Sequence, residues 1–223
     1  MSYWRAIGAI VWKDLLVEVR GKEIVLSVSF FALLMVFTFN FAFKPGSIET
    51  ELITSGVLWF TFLFAAMLSF QRVINTEQEN NCLEGLMLCP HGRDVIFLSK
   101  LASSFLFVLL VEAISLPIFT VVFNLPVLPL QLLVIIPLAT LGIAVIGTLL
   151  SVLSMNTRLQ EVMLPILLIP IVVPAVIGAV ESTSAAFNGE PWSEIQPWIW
   201  VLLAFDVVFL VLGLLTFEHV LEE

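Results

Sequence analysis

Residues 131–153 read QLLVIIPLATLGIAVIGTLLSVL, an apolar run without one charged side chain. The hydrocarbon core of a bilayer is about 30 Å thick, and a helix needs about 20 apolar residues to cross it. The run meets that length. Lipid offers the backbone no hydrogen-bond partner, so such a segment satisfies its own amides as a helix. Five further runs obey the same rule: 24–43, 52–70, 97–123, 162–180 and 198–217. Lys100 and Glu112 interrupt the third run in chain order, and Asp206 interrupts the last. Composition agrees. The 223 residues are 60% hydrophobic and 12% charged, against roughly 25% charged in a soluble domain. The mean hydropathy is +1.10. These values exclude a disordered chain or an ordinary soluble globule. The expected fold class is all-α, a polytopic membrane protein with six transmembrane helices in a single membrane domain over 1–223.

The basic residues orient the chain. With the N-terminus in the cytoplasm, the inner segments hold Arg5, Lys13, Arg20, Lys22, Arg72, Arg93, Lys100 and Arg158, and the outer segments hold only Lys44. Lys and Arg favour the cytoplasmic side, whatever the acidic residues do. Six spans then return the C-terminus to the cytoplasm. No cleavable leader is expected, because the first apolar run follows a polar-studded segment and lacks a small-residue cleavage site. Within residues 1–22, Trp4, Ile7, Val11, Leu15 and Val19 recur at helical spacing. This pattern predicts an amphipathic helix on the cytoplasmic leaflet, with membrane lipid as its partner. The same stripe also suits packing on protein.

Motifs narrow the chemistry by exclusion. The chain has no G-x-x-x-x-G-K-[ST] loop for nucleotide phosphates, no H-E-x-x-H and no G-x-S-x-G. Cys82 and Cys89 have no second pair to complete a zinc site. They are expected to be plain thiols, and two cysteines make no disulfide scaffold. The net charge of −9 argues against nucleic acid as a partner. Glu112 and Asp206 are the candidate intramembrane functional residues, since acids at membrane depth are costly and default to functional roles. The alternative is that each faces the bundle interior as a structural group. A secondary transporter ordinarily carries a richer midplane site in two matching halves. Here Pro165, Pro170 and Pro174 crowd into one run, and no internal repeat is visible.

The connection 71–96 contains NNCLEGLMLCPHGRD at 80–94. Asn81 suits an N-cap, with Glu84 three residues on. Leu83, Leu86 and Met87 then fall on one helical face. Pro90 stops the helix, and Gly92 lets the chain turn. A short cytoplasmic helix with one apolar side fits a groove or a membrane surface.

At 79–100, Glu79, Cys82-Leu83-Glu84-Gly85-Leu86, Pro90, Arg93 and Lys100 are similar to the loop between spans two and three of type 2 ABC exporters. The whole chain resembles the cytochrome c maturation protein B family, also called haem exporter protein B (CcmB). The likeness runs through WKDLLVEVR at 12–20, E-x-E-x-x-x-L-E-G-L at 77–86, TLLS at 148–151 and the Pro-rich 164–174. Cys82 departs from the small residue usual in wider exporters. The resemblance implies a non-catalytic permease subunit in the bacterial inner membrane, serving cytochrome c maturation. It implies a separate CcmA-like ATPase, CcmC-like and CcmD-like membrane subunits, the haem chaperone CcmE-like protein, and a second copy of this chain or a related subunit. It also implies that Glu79, Leu83, Glu84, Leu86, Met87, Pro90 and Arg93 form the ATPase-docking segment within 77–94. In that setting, hydrolysis serves release of the haem-loaded chaperone or haem export. A generic type 2 exporter subunit for a lipid-like or drug-like substrate is the alternative, and a carboxylate-dependent secondary transporter a weaker one.

No cofactor is expected on the chain itself. Haem iron is commonly held by His, Cys, Met or Tyr. His91, His219, Tyr3, Cys82 and Cys89 all fall on the cytoplasmic side of the expected topology, and Met35 and Met67 lie in spans. Haem would therefore be handled by partners. Reporter fusions after Lys22, Glu51, Arg93 and Asn188 should read in, out, in, out; a cytoplasmic signal at Asn188 contradicts the six-span topology.

Overall fold

The computed structural model describes residues 3–20, 22–42, 48–79, 93–125, 129–154 and 160–220. Its seven helices are α1 (Tyr3–Arg20), α2 (Lys22–Ala42), α3 (Ile48–Glu79), α4 (Arg93–Val122), α5 (Leu132–Ser154), α6 (Gln160–Phe187) and α7 (Trp192–Val220). Among the described residues there is no strand, as expected where backbone amides have to be satisfied locally. Among the described residues five helices, α3 to α7, are long and apolar enough to cross a membrane. The first expected span falls on α2, whose described apolar stretch, Leu26–Ala42, is shorter than the other five.

Two helices form the centre. α3 contributes buried Leu58, Trp59, Phe62 and Phe70, and α5 contributes Ile135, Ile143 and Ile146. α5 packs against α3, α4, α6 and α7. Glycine permits the closest of these approaches. A Cβ placed on Gly147 would collide with the Phe70 ring, so α3 and α5 meet where a side chain is missing. Trp59 Nε1 donates to Thr183 Oγ1 at 2.9 Å and joins α3 to α6. The outer surface is the inverse of a soluble protein's: Leu130, Leu133, Ile166, Val207 and Leu215 are all more than half exposed. Lipid is the solvent that accepts such a surface.

The segment 181–197, expected as an outer loop, is mostly helical. α6 continues to Phe187 and α7 begins at Trp192. Burial explains the extension. Ser182 and Thr183 are fully enclosed, and Ser182 Oγ donates to the Gly178 carbonyl at 2.7 Å. The helix stops only at Gly189, whose φ of 69° suits glycine. There the amides of Gly189 and Glu190 donate back to the carbonyls of Ala186 and Ala185, a closing pattern common at helix ends. Asn124, with φ 53°, closes α4 in the same way. α3 likewise outruns its expected span and reaches Glu79.

Residues Tyr3–Arg20 form the helix α1, which packs on α4 and α2. The face it buries includes Ala6, while Trp4 and Trp12 are 75% and 66% exposed. The electrostatics set that rotation. Lys100 is buried on α4, and its Nζ lies 3.0 Å from Asp14 Oδ2 on α1. Ser103 Oγ donates to the same oxygen at 3.3 Å. Lys13 pairs with the other oxygen at 2.9 Å. One turn or more earlier on each helix, the Tyr3 hydroxyl donates to Asp94 Oδ2 at 2.6 Å. Contacts made in the same order along both chains mean that α1 runs alongside α4 in the same direction. The Asp94 hydrogen bond, with lesser help from burial and the Asp94 charge, raises the Tyr3 hydroxyl above its ordinary value of 10.0. A raised acid contributes while it stays protonated, so this contact holds at neutral pH and is lost as pH climbs past that range.

The Asp14–Lys100 pair gives a buried ammonium a carboxylate at 3.0 Å. Asp14→Asn should therefore lower stability by about 3 kcal/mol, while the double change Asp14→Leu with Lys100→Met recovers most of the loss. Thermal unfolding in nanodiscs checks this; an Asp14→Asn protein as stable as the parent contradicts it.

Candidate functional site

Helix α5 positions the two intramembrane acids. Glu112 on α4 is 2% exposed. Thr140 Oγ1 on α5 lies 2.8 Å from its Oε2 and 3.0 Å from its Oε1 and donates to that carboxyl. The sequence places a hydroxyl there within a stretch that is otherwise aliphatic, so the acid is met by the one polar side chain its neighbour offers at that level. Asp206 on α7 is 4% exposed. A Cβ on Gly142 would fall 2.7 Å from Asp206 Oδ1 and 3.0 Å from the Phe205 ring. The missing side chain of Gly142 is thus what admits the Asp206 carboxyl against α5. Neither Asp206 oxygen has a hydrogen-bond partner among the described residues.

Thr140 and Gly142 are two residues apart on one helix. That spacing is about 3 Å along the axis and about 200° around it. Glu112 and Asp206 therefore sit at nearly one depth on opposite sides of α5. They do not converge on one reacting centre, as a two-carboxylate hydrolase would require. Beside Glu112, a cleft of about 410 Å³ opens between α4 and α5, lined by Leu109, Glu112, Leu116, Leu130, Leu133 and Pro137 among others.

Two of the remaining sequence candidates lie at helix ends. Glu79 is the last residue of α3, and Arg93 the first of α4. Leu83, Glu84, Leu86, Met87, Pro90 and His91 lie outside the described residues. The two helices that bracket this segment pack against each other. Among the described residues no group of three His, Cys, Asp or Glu side chains stands ready for a metal ion. Sequence reasoning missed Thr140, Gly142 and Asp14. A signal for Asp14 was present: it lies between Val11 and Leu15 of the apolar stripe, where a charge needs a partner. Nothing in the sequence pairs residue 140 with residue 112.

Removing the Thr140 hydroxyl leaves a buried carboxyl without its donor. Thr140→Val should cost about 1–3 kcal/mol of stability, and Thr140→Ser should retain most of it. Gly142→Ala should also destabilise, by about 1–3 kcal/mol, through the clash with Asp206 and Phe205. Unfolding in matched nanodiscs measures all three; a Thr140→Val protein of parental stability contradicts the hydrogen bond.

Comparisons with known proteins now bear on this bundle. The chain is 26% identical over 187 residues to Heme exporter protein B of Pseudomonas aeruginosa, covering 83% of each chain. It is 29% identical over 183 residues to the protein of the same name from Rhodobacter capsulatus, covering 81% of this chain and 84% of that one. Heme exporter protein B of Haemophilus influenzae is 26% identical over 184 residues, covering 82% and 83%. The family model described as CcmB protein matches residues 5–223, from the first turns of α1 to the last residue, and the chain belongs to that family.

Proposed function

We propose that the chain is the membrane, or permease, subunit of an ABC complex that handles haem for cytochrome c maturation. The observation that carries this reading is the CcmB family match across nearly the whole chain. Relatives that share most of its length are named Heme exporter protein B. The helical bundle with a lipid-facing apolar surface supports the membrane role. In this reading the chain is not an enzyme. A CcmA-like partner hydrolyses ATP, and the segment between Glu79 and Arg93 docks in that partner's groove. α3 and α4 carry the motion across the membrane, where it releases a haem-loaded CcmE-like chaperone or expels haem. CcmC-like and CcmD-like subunits complete the assembly, together with a second copy of this chain or a related subunit.

The topology proposed with this function counts α2 as a short first span, which gives six spans, both termini in the cytoplasm and residence in the bacterial inner membrane. The Lys and Arg distribution supports it. The same topology keeps His91 and His219 on the inner side, so the partners supply the axial ligands and this chain holds no haem stoichiometrically. A Soret band at one haem per purified subunit, abolished by His91→Ala or His219→Ala, contradicts that.

Docking is tested on the apolar face of the segment. Leu83→Asp or Leu86→Asp places an unpaired charge in an apolar groove, at a cost of several kcal/mol, roughly 2–7 for a polar group left unbonded. Each variant should insert normally yet lose the ATPase on purification, and cytochrome c maturation with it. Full retention of the ATPase by both variants contradicts the docking role.

A further inference from the structure

The cleft between α4 and α5 has no part in the docking role. Its walls are apolar side chains of the two helices and of Pro129 and Leu130 just before α5, and Leu130 and Leu133 among them are exposed on the lipid-facing surface. One polar side chain lines it, Glu112. Thr140 offers that carboxyl a single hydroxyl hydrogen, whereas a carboxylate has about four acceptor positions. Acceptor capacity is thus left over on a buried acid at the wall of an apolar cavity. The lining residues include no Lys, Arg or His. A phosphate or carboxylate head would meet no cation there and would be set against Glu112. Phospholipid headgroups and the two carboxylate arms of haem are both mismatched. A volume of about 410 Å³ lies within the range of small-molecule sites, about 300–1,000 Å³.

We infer that this cleft binds a single-chain lipophilic amine that enters from the bilayer, with its chain against Leu109, Leu116, Leu133 and Pro137 and its nitrogen on the Glu112 carboxyl. Charge complementarity selects the head: whichever partner holds the shared proton, amine and carboxyl remain hydrogen-bonded. The inference rests on α4 and α5 alone and stands or falls separately from ATPase docking.

Photolabelling of the full chain in phosphatidylcholine nanodiscs tests it. The probe is dodecylamine carrying a diazirine at the far end of its chain. Adducts should concentrate on 109–116 and 130–137, and unlabelled dodecylamine should compete about tenfold or more better than dodecanoic acid or haem. Glu112→Gln removes the charge, and Leu133→Trp narrows the mouth while leaving Glu112 in place; each should cut labelling about tenfold. If Glu112→Gln does not fold, Leu133→Trp decides. Labelling spread evenly over the lipid-facing helices, equal competition by dodecanoic acid or haem, or labelling indifferent to Leu133→Trp overturns the inference.

Discussion

A polar group carried to membrane depth has to find its partner inside the protein, because lipid supplies none. In this bundle that constraint falls on α5. Residues 142–148 of the helix are buried without a break, and four other helices lean on it. Where a neighbour brings a carboxyl, α5 gives Glu112 a hydrogen-bond donor in Thr140 and gives Asp206 only room, beside Gly142, with no hydrogen bond to either oxygen among the described residues. Where a neighbour brings a large ring, Gly147 makes room for Phe70. The helix that looks least polar in the sequence is therefore the one around which the polar groups are arranged. Small residues do this by letting backbones approach, which in lipid is a main source of helix association.

The same constraint operates at the start of α4 with a different solution. Lys100 lies too deep to be left in apolar surroundings alone, and α1 comes alongside α4 to bring it Asp14. The N-terminal helix is thereby fixed to α4, the helix that follows the segment proposed to dock the ATPase. Any displacement of the inner end of α4 is felt by α1 through Tyr3–Asp94 and Asp14–Lys100. Its exposed Trp4 and Trp12, beside exposed Arg5 and Lys13, keep the character of an interfacial surface, where aromatic and basic side chains both prefer to sit.

Much of this was readable before any coordinates. Run length and the lack of charge located the helices α3 to α7, because a bilayer imposes one thickness on every span. Helix ends were read less well. Residues 181–187 look like loop by polarity, yet Ser182 and Thr183 bond within the helix or to Trp59, which hides their polarity from lipid. On α1 hydrophobic spacing ranks Trp4 above Ala6, yet Ala6 is the residue buried against the bundle and Trp4 stays exposed, a division that depends on the pairing of Asp14 with Lys100 across two helices. Glu112 and Asp206 stood out by composition alone. That they flank α5 on opposite sides depends on which helices pack together, and helical periodicity within one span carries no such information.

The functional account joins these parts into one path, from a cytoplasmic segment between α3 and α4, through the two helices that bracket it, to the outer face. Its central claim is that this segment touches an ATP-hydrolysing partner. The most direct measurement is site-specific photo-crosslinking from position 85 in cells that make c-type cytochromes, with the adduct identified by mass spectrometry. The account predicts one dominant adduct, to an ATP-binding subunit of the ABC type. Adducts only to lipid, or only to another part of this chain, would contradict it.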